Sequence, residues 1–279
     1  MSPLIRRLLT AALTTYIAVC VAMFLLQRRL QYFPDSSPMD PSAAGLPQAH
    51  SQAVTTADGE RLVVWWVPPR DAAQPVYLYL HGNGAHLHAR APRFARLVAD
   101  GAGLYAVSWR GYGGSTGTPS EAGLMADARA AYGDLVQRTS ANRILLYGES
   151  LGSTVAVMLA AELPVRGLLL DSSFESALAV AHHAYPWLPV RLLLRDTYRA
   201  DLAAPRVAVP VLQVHCTDDP ITPLVSAVAL QARFAHARPL HRIVGRCHVP
   251  PLLDYDAVRA AFVSDVFGRP RAGGSSGPL

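Results

Sequence analysis

At 279 residues, 51% of them hydrophobic, the chain is long enough to bury a full core as one α/β domain. The net charge of +5 rests on 25 basic residues, all of them arginine and scattered without a stripe or interleaved aromatics, so no nucleic-acid partner is expected. Three cysteines without a C-x-x-C spacing are too few for a disulfide scaffold and do not suggest a zinc site.

Residues 8–26 carry no charge and are flanked by Arg6-Arg7 and Arg28-Arg29. That is about the 20 residues a bilayer-spanning helix needs. A cleaved signal peptide competes with this reading, but the run outlasts an ordinary h-region, and Gln27-Arg28-Arg29 stands where small residues would mark cleavage. An uncleaved single-pass membrane anchor over residues 1–28 is therefore expected. Arginine pairs on both sides nearly balance the positive-inside vote; the free N-terminal amine tips it toward an extracytoplasmic domain.

Residues 35–52, rich in Pro, Ser and Ala, read as a linker or wrapping loop. Asp58-Gly59 between two β-rich runs, 54–56 and 61–67, predicts a hairpin. From residue 76 the period changes to continuous apolar runs, at 76–80, 103–109, 144–147, 167–170, 211–214 and 240–244, as expected of strands buried on both faces. Helical patterns fall between and after them, at 90–100, 120–138, 153–162, 224–235 and 254–267. This alternation predicts a mostly parallel sheet with helices on both faces, whose functional residues sit at the carboxyl ends of strands. Residues 172–209 break the alternation and predict a short helical cap, in which Tyr185, Trp187 and Leu188 are candidates to line an acyl groove. Residues 29–268 are thus expected to form the globular domain, and 269–279, rich in Gly, Ser and Pro, a disordered tail.

The pentapeptide Gly148-Glu149-Ser150-Leu151-Gly152 lies between a buried strand and a helix. A serine on such a sharp turn is held exposed above the sheet at a helix N-terminus, the placement of a nucleophile. A serine hydroxyl needs a base, and the base needs an acid to hold its tautomer. The loop after the last strand supplies His248, and the loop after the preceding one supplies Asp218 and Asp219, with Asp171 a third possibility at an earlier strand end. The order serine, acid, histidine is that of a known hydrolase arrangement. Two backbone donors for an oxyanion are expected from the amide of Leu151 and, in His81-Gly82-Asn83-Gly84 after the first buried strand, from that of Asn83.

With these motifs, Gln27-Arg28-Arg29-Leu30-Gln31-Tyr32-Phe33-Pro34 and Arg110-Gly111-Tyr112-Gly113-Gly114-Ser115-Thr116-Gly117, the chain resembles the α/β-hydrolase superfamily of serine hydrolases. It is most similar to the membrane-anchored α/β-hydrolase-domain group that includes lysophospholipid lipases and protein depalmitoylases. The resemblance runs from about residue 27 to 267. It implies an α/β-hydrolase fold, Ser150 as nucleophile, His248 as base, and Asp219 as the acid four residues before Pro223. It also implies the Asn83 and Leu151 amides as the oxyanion hole, an ester or acylated small-molecule substrate, and no metal or organic cofactor. The chain departs from the group where glycine is usual, at Cys216 and Cys247, and where Asn-Asp is usual, at Val249-Pro250. The paired cysteines suggest a disulfide between the acid and histidine loops. The competing readings are a serine peptidase of the same fold and a catalytically idle binding protein.

Overall fold

The strand Val76–Leu80 is buried at every position, and it shows how the fold is layered. Successive side chains of a strand point to opposite faces. Val76, Leu78 and Leu80 pack into one core, while Tyr77 and Tyr79 pack into a second on the other face of the sheet. The structure, a computed structural model, describes residues 1–84 and 86–268.

Eight strands, β1 His50–Thr55, β2 Arg61–Val67, β3 Val76–Leu80, β4 Gly103–Val107, β5 Ile144–Glu149, β6 Gly167–Asp171, β7 Val211–Cys216 and β8 His241–Ile243, form one sheet in the order β1-β2-β4-β3-β5-β6-β7-β8. β1 and β2 pair antiparallel, as do β2 and β4; the other neighbours are parallel. The register sets Leu80 beside Gly148, so β3 and β5 end together. The hairpin turn lies at Asp58-Gly59, but β1 begins at His50, inside the stretch expected to be loop. Its burial is one-sided and slight at first, which is why composition alone reads as a linker there.

The helices are α1 Pro3–Gln31, α2 Ala91–Leu97, α3 Glu121–Leu135, α4 Leu151–Ala160, α5 Ala177–Ala184, α6 Val190–Leu193, α7 Ala200–Ala203, α8 Leu224–Gln231 and α9 Leu252–Phe267. α3 and α4 cover the face of Leu78, Leu146 and Leu168; α2 and α9 cover the face of Tyr79, Tyr147 and Leu169. Ser120 caps α3, its hydroxyl accepting from the Gly123 amide, and so fixes where the helix starts. Truncating one of the central leucines, such as Leu146, to alanine would cost about 2–5 kcal/mol.

α5, α6 and α7 fill the interval between β6 and β7 without a strand, as a cap. α1 is long and apolar enough to cross a membrane, and its C-terminal turn is clamped to this cap. Arg28 makes a forked pair with Asp196 at 2.9 and 3.2 Å, Tyr32 donates to the same carboxylate at 3.1 Å, and Gln27 exchanges hydrogen bonds with the Leu193 oxygen and the Arg195 amide. The stretch expected to be a tail, 269–279, lies outside the described residues.

Candidate active site

β5 ends in Glu149 and α4 starts at Leu151, leaving Ser150 alone to reverse the chain. Its backbone takes φ 50° and ψ −117°, a region that costs of order 1–3 kcal/mol for a residue with a Cβ. Packing holds it there. A methyl on Gly152 would overlap the Leu80 carbonyl oxygen, and one on Gly148 would meet the Ser153 backbone, so only glycine lets β3, β5 and α4 approach this closely. The Ser150 amide is bonded to the Asp171 oxygen at 2.8 Å.

The loops after β7 and β8 bring Asp219 and His248 to this serine. His248 Nε2 lies 2.8 Å from Ser150 Oγ, and His248 Nδ1 lies 2.9 and 3.0 Å from the two carboxylate oxygens of Asp219. With Nδ1 carrying the proton and donating to Asp219, Nε2 is left to accept from the serine hydroxyl.

Of the three aspartates the sequence leaves open, only Asp219 reaches the histidine. Its side chain is fully buried, and it accepts from the amides of Ile221 and Thr222 at 2.8 and 2.9 Å and from the Thr222 hydroxyl at 2.8 Å. Burial opposes its charge, and these bonds together with the one from His248 outweigh that penalty, leaving its pKa below the ordinary carboxylate value. Asp218 is exposed, and its carboxylate accepts from the neighbouring Thr217 hydroxyl. Asp171 is buried in a cluster with Arg93, Tyr147 and Tyr255, and burial raises its pKa against their opposing contributions. His215, behind the acid, has Nε2 2.9 Å from the Thr222 oxygen and 3.5 Å from Asp219.

The amides of Asn83 and Leu151 make no hydrogen bond to another described group, and Leu151 stands at the first turn of α4, where N–H groups have no intrahelical partner. Asn83 is held by its side chain. The carboxamide donates to the Gln31 oxygen, and Tyr112 donates to Asn83 Oδ1 at 2.9 Å and to its carbonyl at 2.8 Å. His81 braces the start of this loop: its Nε2 accepts from the Trp109 amide at 3.2 Å, which leaves Nδ1 to donate to the Gly82 oxygen. Burial pushes its pKa down to about 3, so it is neutral.

Sequence reasoning missed the ion pair beneath the turn. Glu149, directly before Ser150, is buried between Arg90 and Tyr79. Burial pushes its pKa up, but Arg90 and Arg93 overcome this and hold it at about 2. An arginine 59 residues upstream gives no local spacing signal.

Cys216 and Cys247 are joined as a disulfide with Cα atoms 5.6 Å apart, tying the end of β7 to the residue before His248. A cleft of about 450 Å³ opens beside Glu149 and reaches Gly84 and Val249, the neighbours of Asn83 and His248. The expected groove residues divide otherwise. Leu188 is buried within the cap, while Tyr185 and Trp187 are exposed on its surface, and the Trp187 oxygen accepts from Tyr16 of α1. The segment turns between α5 and α6, where the Leu188 amide donates to the Tyr185 oxygen at 3.0 Å.

Residues 75–209 match the family model for the alpha/beta hydrolase fold. An uncharacterized protein of Mycobacterium tuberculosis is 38% identical over 264 residues, 91% of this chain and 94% of its own length. The chain belongs to the α/β-hydrolase family. Within it, the lysophosphatidylserine lipase ABHD12 of Danio rerio is 27% identical, over 85% of this chain and 74% of its own. Among solved structures, the Pyrococcus furiosus esterase Pf2001 superposes with a TM-score of 0.67 at 16% identity, covering 85% of this chain and 97% of that one, a likeness of fold. This α/β hydrolase thus has the mostly parallel sheet of its family, with Ser150, Asp219 and His248 at the carboxyl ends of its strands.

Proposed function

We propose that this α/β hydrolase is a membrane-anchored serine hydrolase that cleaves carboxylic esters or thioesters of lipid-derived or acylated substrates. The observation that carries the reading is the 2.8 Å contact between His248 Nε2 and Ser150 Oγ on a strained turn at the head of a helix. A serine so placed, with an imidazole and a buried carboxylate in line, is equipped for acyl transfer.

In the first half-reaction His248 Nε2 takes the hydroxyl proton as Ser150 Oγ bonds to the substrate carbonyl carbon. The carbonyl electrons move onto oxygen, and that oxyanion accepts from the amides of Asn83 and Leu151. Asp219 stabilises the imidazolium through Nδ1 and keeps its charge throughout. The oxyanion collapses, the alcohol or thiol leaves with the proton from His248, and an acyl-serine remains. Water then attacks with His248 again as base, and the acid product leaves as Ser150 regains its proton. Val249, Pro251, Leu252 and Leu253 give the neighbouring cleft an apolar wall suited to an acyl chain.

The membrane part of the reading rests on α1 and the cap. Tyr16, midway along the apolar helix, donates to the Trp187 oxygen at 3.0 Å, so the cap reaches along the anchor. Trp187 and Leu192 beside it are 58% and 84% exposed, an apolar rim suited to contact with the lipid that surrounds the anchor. The disulfide supports an extracytoplasmic domain, since such bonds persist in oxidising compartments. The name of the Danio rerio relative makes lysophospholipids a natural substrate class to test.

Hydrolysis of p-nitrophenyl esters of increasing chain length, with acyl substrates also presented in vesicles, tests the proposal. Turnover abolished in Ser150→Ala, and vesicle turnover reduced by Trp187→Ala with Leu192→Ala while short soluble esters are unaffected, is the expected pattern. A folded chain that turns over no ester or thioester would overturn it.

A further inference from the structure

Apart from the proposed reaction centre, the loop after β3 carries two histidines, His86 and His88, beside the strap that follows α1. Asp35 of that strap faces them. One ligand atom from each of the three lies within 4.8 Å of the others, and His86 Nε2 is 3.7 Å from Asp35 Oδ2. His86 is only 2% exposed, yet its Nε2 has no hydrogen-bond partner among the described residues. His88 Nδ1 is buried and unpartnered in the same way, and the two rings lie 4.0 Å apart. Buried polar atoms left without partners are uncommon in native proteins and call for an explanation, which a bound ion supplies.

We propose that Asp35, His86 and His88 form a zinc-type divalent-metal site that clips the strap to the loop carrying Asn83. Two imidazole nitrogens and one carboxylate oxygen are a donor set that zinc accepts, with water in the fourth position. Ligand atoms on a tetrahedral zinc, with bonds near 2.0–2.1 Å, stand about 3.3 Å apart. The His86 to Asp35 distance of 3.7 Å needs a contraction of only a few tenths of an ångström, and the wider pair closes by rotation of the more exposed side chains. Asp35 is well placed to move: its side chain is 42% exposed, which also gives the ion and its water a path to solvent. Its backbone is fixed meanwhile, since its carbonyl accepts from the Gly113 amide at 2.8 Å. The nearest competing cation, Arg90, donates to the His86 carbonyl and is already neutralised by Glu149.

The ion would act on the strap. Phe33 bridges to Gly84, Asn83 donates to Gln31, and Asp35 lies two residues past Phe33, so a metal there adds a further tie between the strap after α1 and the oxyanion loop. It takes no part in the proposed acyl transfer, and its test is independent of activity.

The test uses the tag-free full-length chain in detergent, freed of metal with a chelator and titrated with Zn²⁺ by calorimetry and by thermal melting. One equivalent should bind with a rise in Tm, and Co²⁺ in its place should give the visible absorption of a tetrahedral site. His88→Asn and Asp35→Asn, each melting like the wild type without metal, should weaken binding roughly 100-fold, given that even supporting residues around metals cost 10–100-fold. Replacing His182 and His183 of α5 with asparagine should leave it unchanged. Absence of stoichiometric binding in the wild type, or equally tight binding in His88→Asn, overturns the site.

Discussion

The side-chain amide of Asn83 donates to the main-chain oxygen of Gln31, so the loop proposed to hold the oxyanion is tied to the last turn of the membrane-type helix. Tyr112 clamps the same residue from the other side. Asn83→Ala keeps the backbone N–H but removes the side-chain hydrogen bonds to Gln31, Tyr112 and Phe33. Because small displacements of a positioned group cost up to about 100-fold, kcat should fall between about 10- and 100-fold with KM changed little. Tyr112→Phe should act in the same direction and less. Steady-state kinetics on one soluble ester checks both.

Asp219 and Asp218 are adjacent in sequence and opposite in setting, one fully buried on His248 and the other exposed. Asp219→Asn should lower kcat by about 10⁴-fold with the fold intact, because the amide leaves His248 in the wrong tautomer. Asp218→Asn should stay within about twofold, as surface substitutions usually do. Equal losses in the two variants would show that the acid is misassigned.

Glu149 is held at about 2, below its ordinary value. A carboxylate with a depressed folded pKa contributes stability that is full above the unfolded value, about 4.3, and is lost as pH falls toward 2. Wild type should therefore lose stability over that window with a steeper slope than Glu149→Gln. At neutral pH the glutamine variant should be less stable by about 3 kcal/mol, because Arg90 is left buried without its partner. Denaturant melts of both proteins from pH 7 down to the limit of folding measure this.

The disulfide spans 31 residues and joins the loops that carry Asp219 and His248. In the chain-entropy model a closed loop of that length stabilises by roughly 3–4 kcal/mol. A Cys216→Ser, Cys247→Ser double variant should melt lower, and wild type with reductant should approach it. Alkylation of denatured, unreduced protein should find a single free thiol, Cys20. Three alkylated thiols would mean the pair is not bonded in solution.

Much of the fold was legible because its signals are local. The continuous apolar runs mark β3 to β7 to within two residues, since strands covered on both faces have no polar side to dilute the pattern, while the edge strand β8, His241–Ile243, is half-exposed and polar. The turn at Ser150 was legible because Gly148 and Gly152 permit what no other residue could. Asp219 was separable from Asp218 by resemblance, while the physical reason, amides two and three residues onward folding back on its carboxylate, needs the coordinates. What stayed hidden depends on partners far apart in sequence. Arg28 with Asp196, Arg90 with Glu149 and Arg93 with Asp171 are all long-range pairs, and an arginine carries no mark of the carboxylate it will meet. Which side of the cap Tyr185 and Trp187 face stayed hidden too, because the sequence places them in the cap without marking its inner or outer side.

Covalent capture by a serine-directed reagent tests whether Ser150 is the nucleophile. The full-length protein would be treated with a fluorophosphonate, and the adduct located by peptide mass spectrometry. A single modification is expected on the peptide containing Ser150, absent from Ser150→Ala and strongly slowed in His248→Gln. A folded protein that takes no label, or one labelled equally in Ser150→Ala, would contradict it.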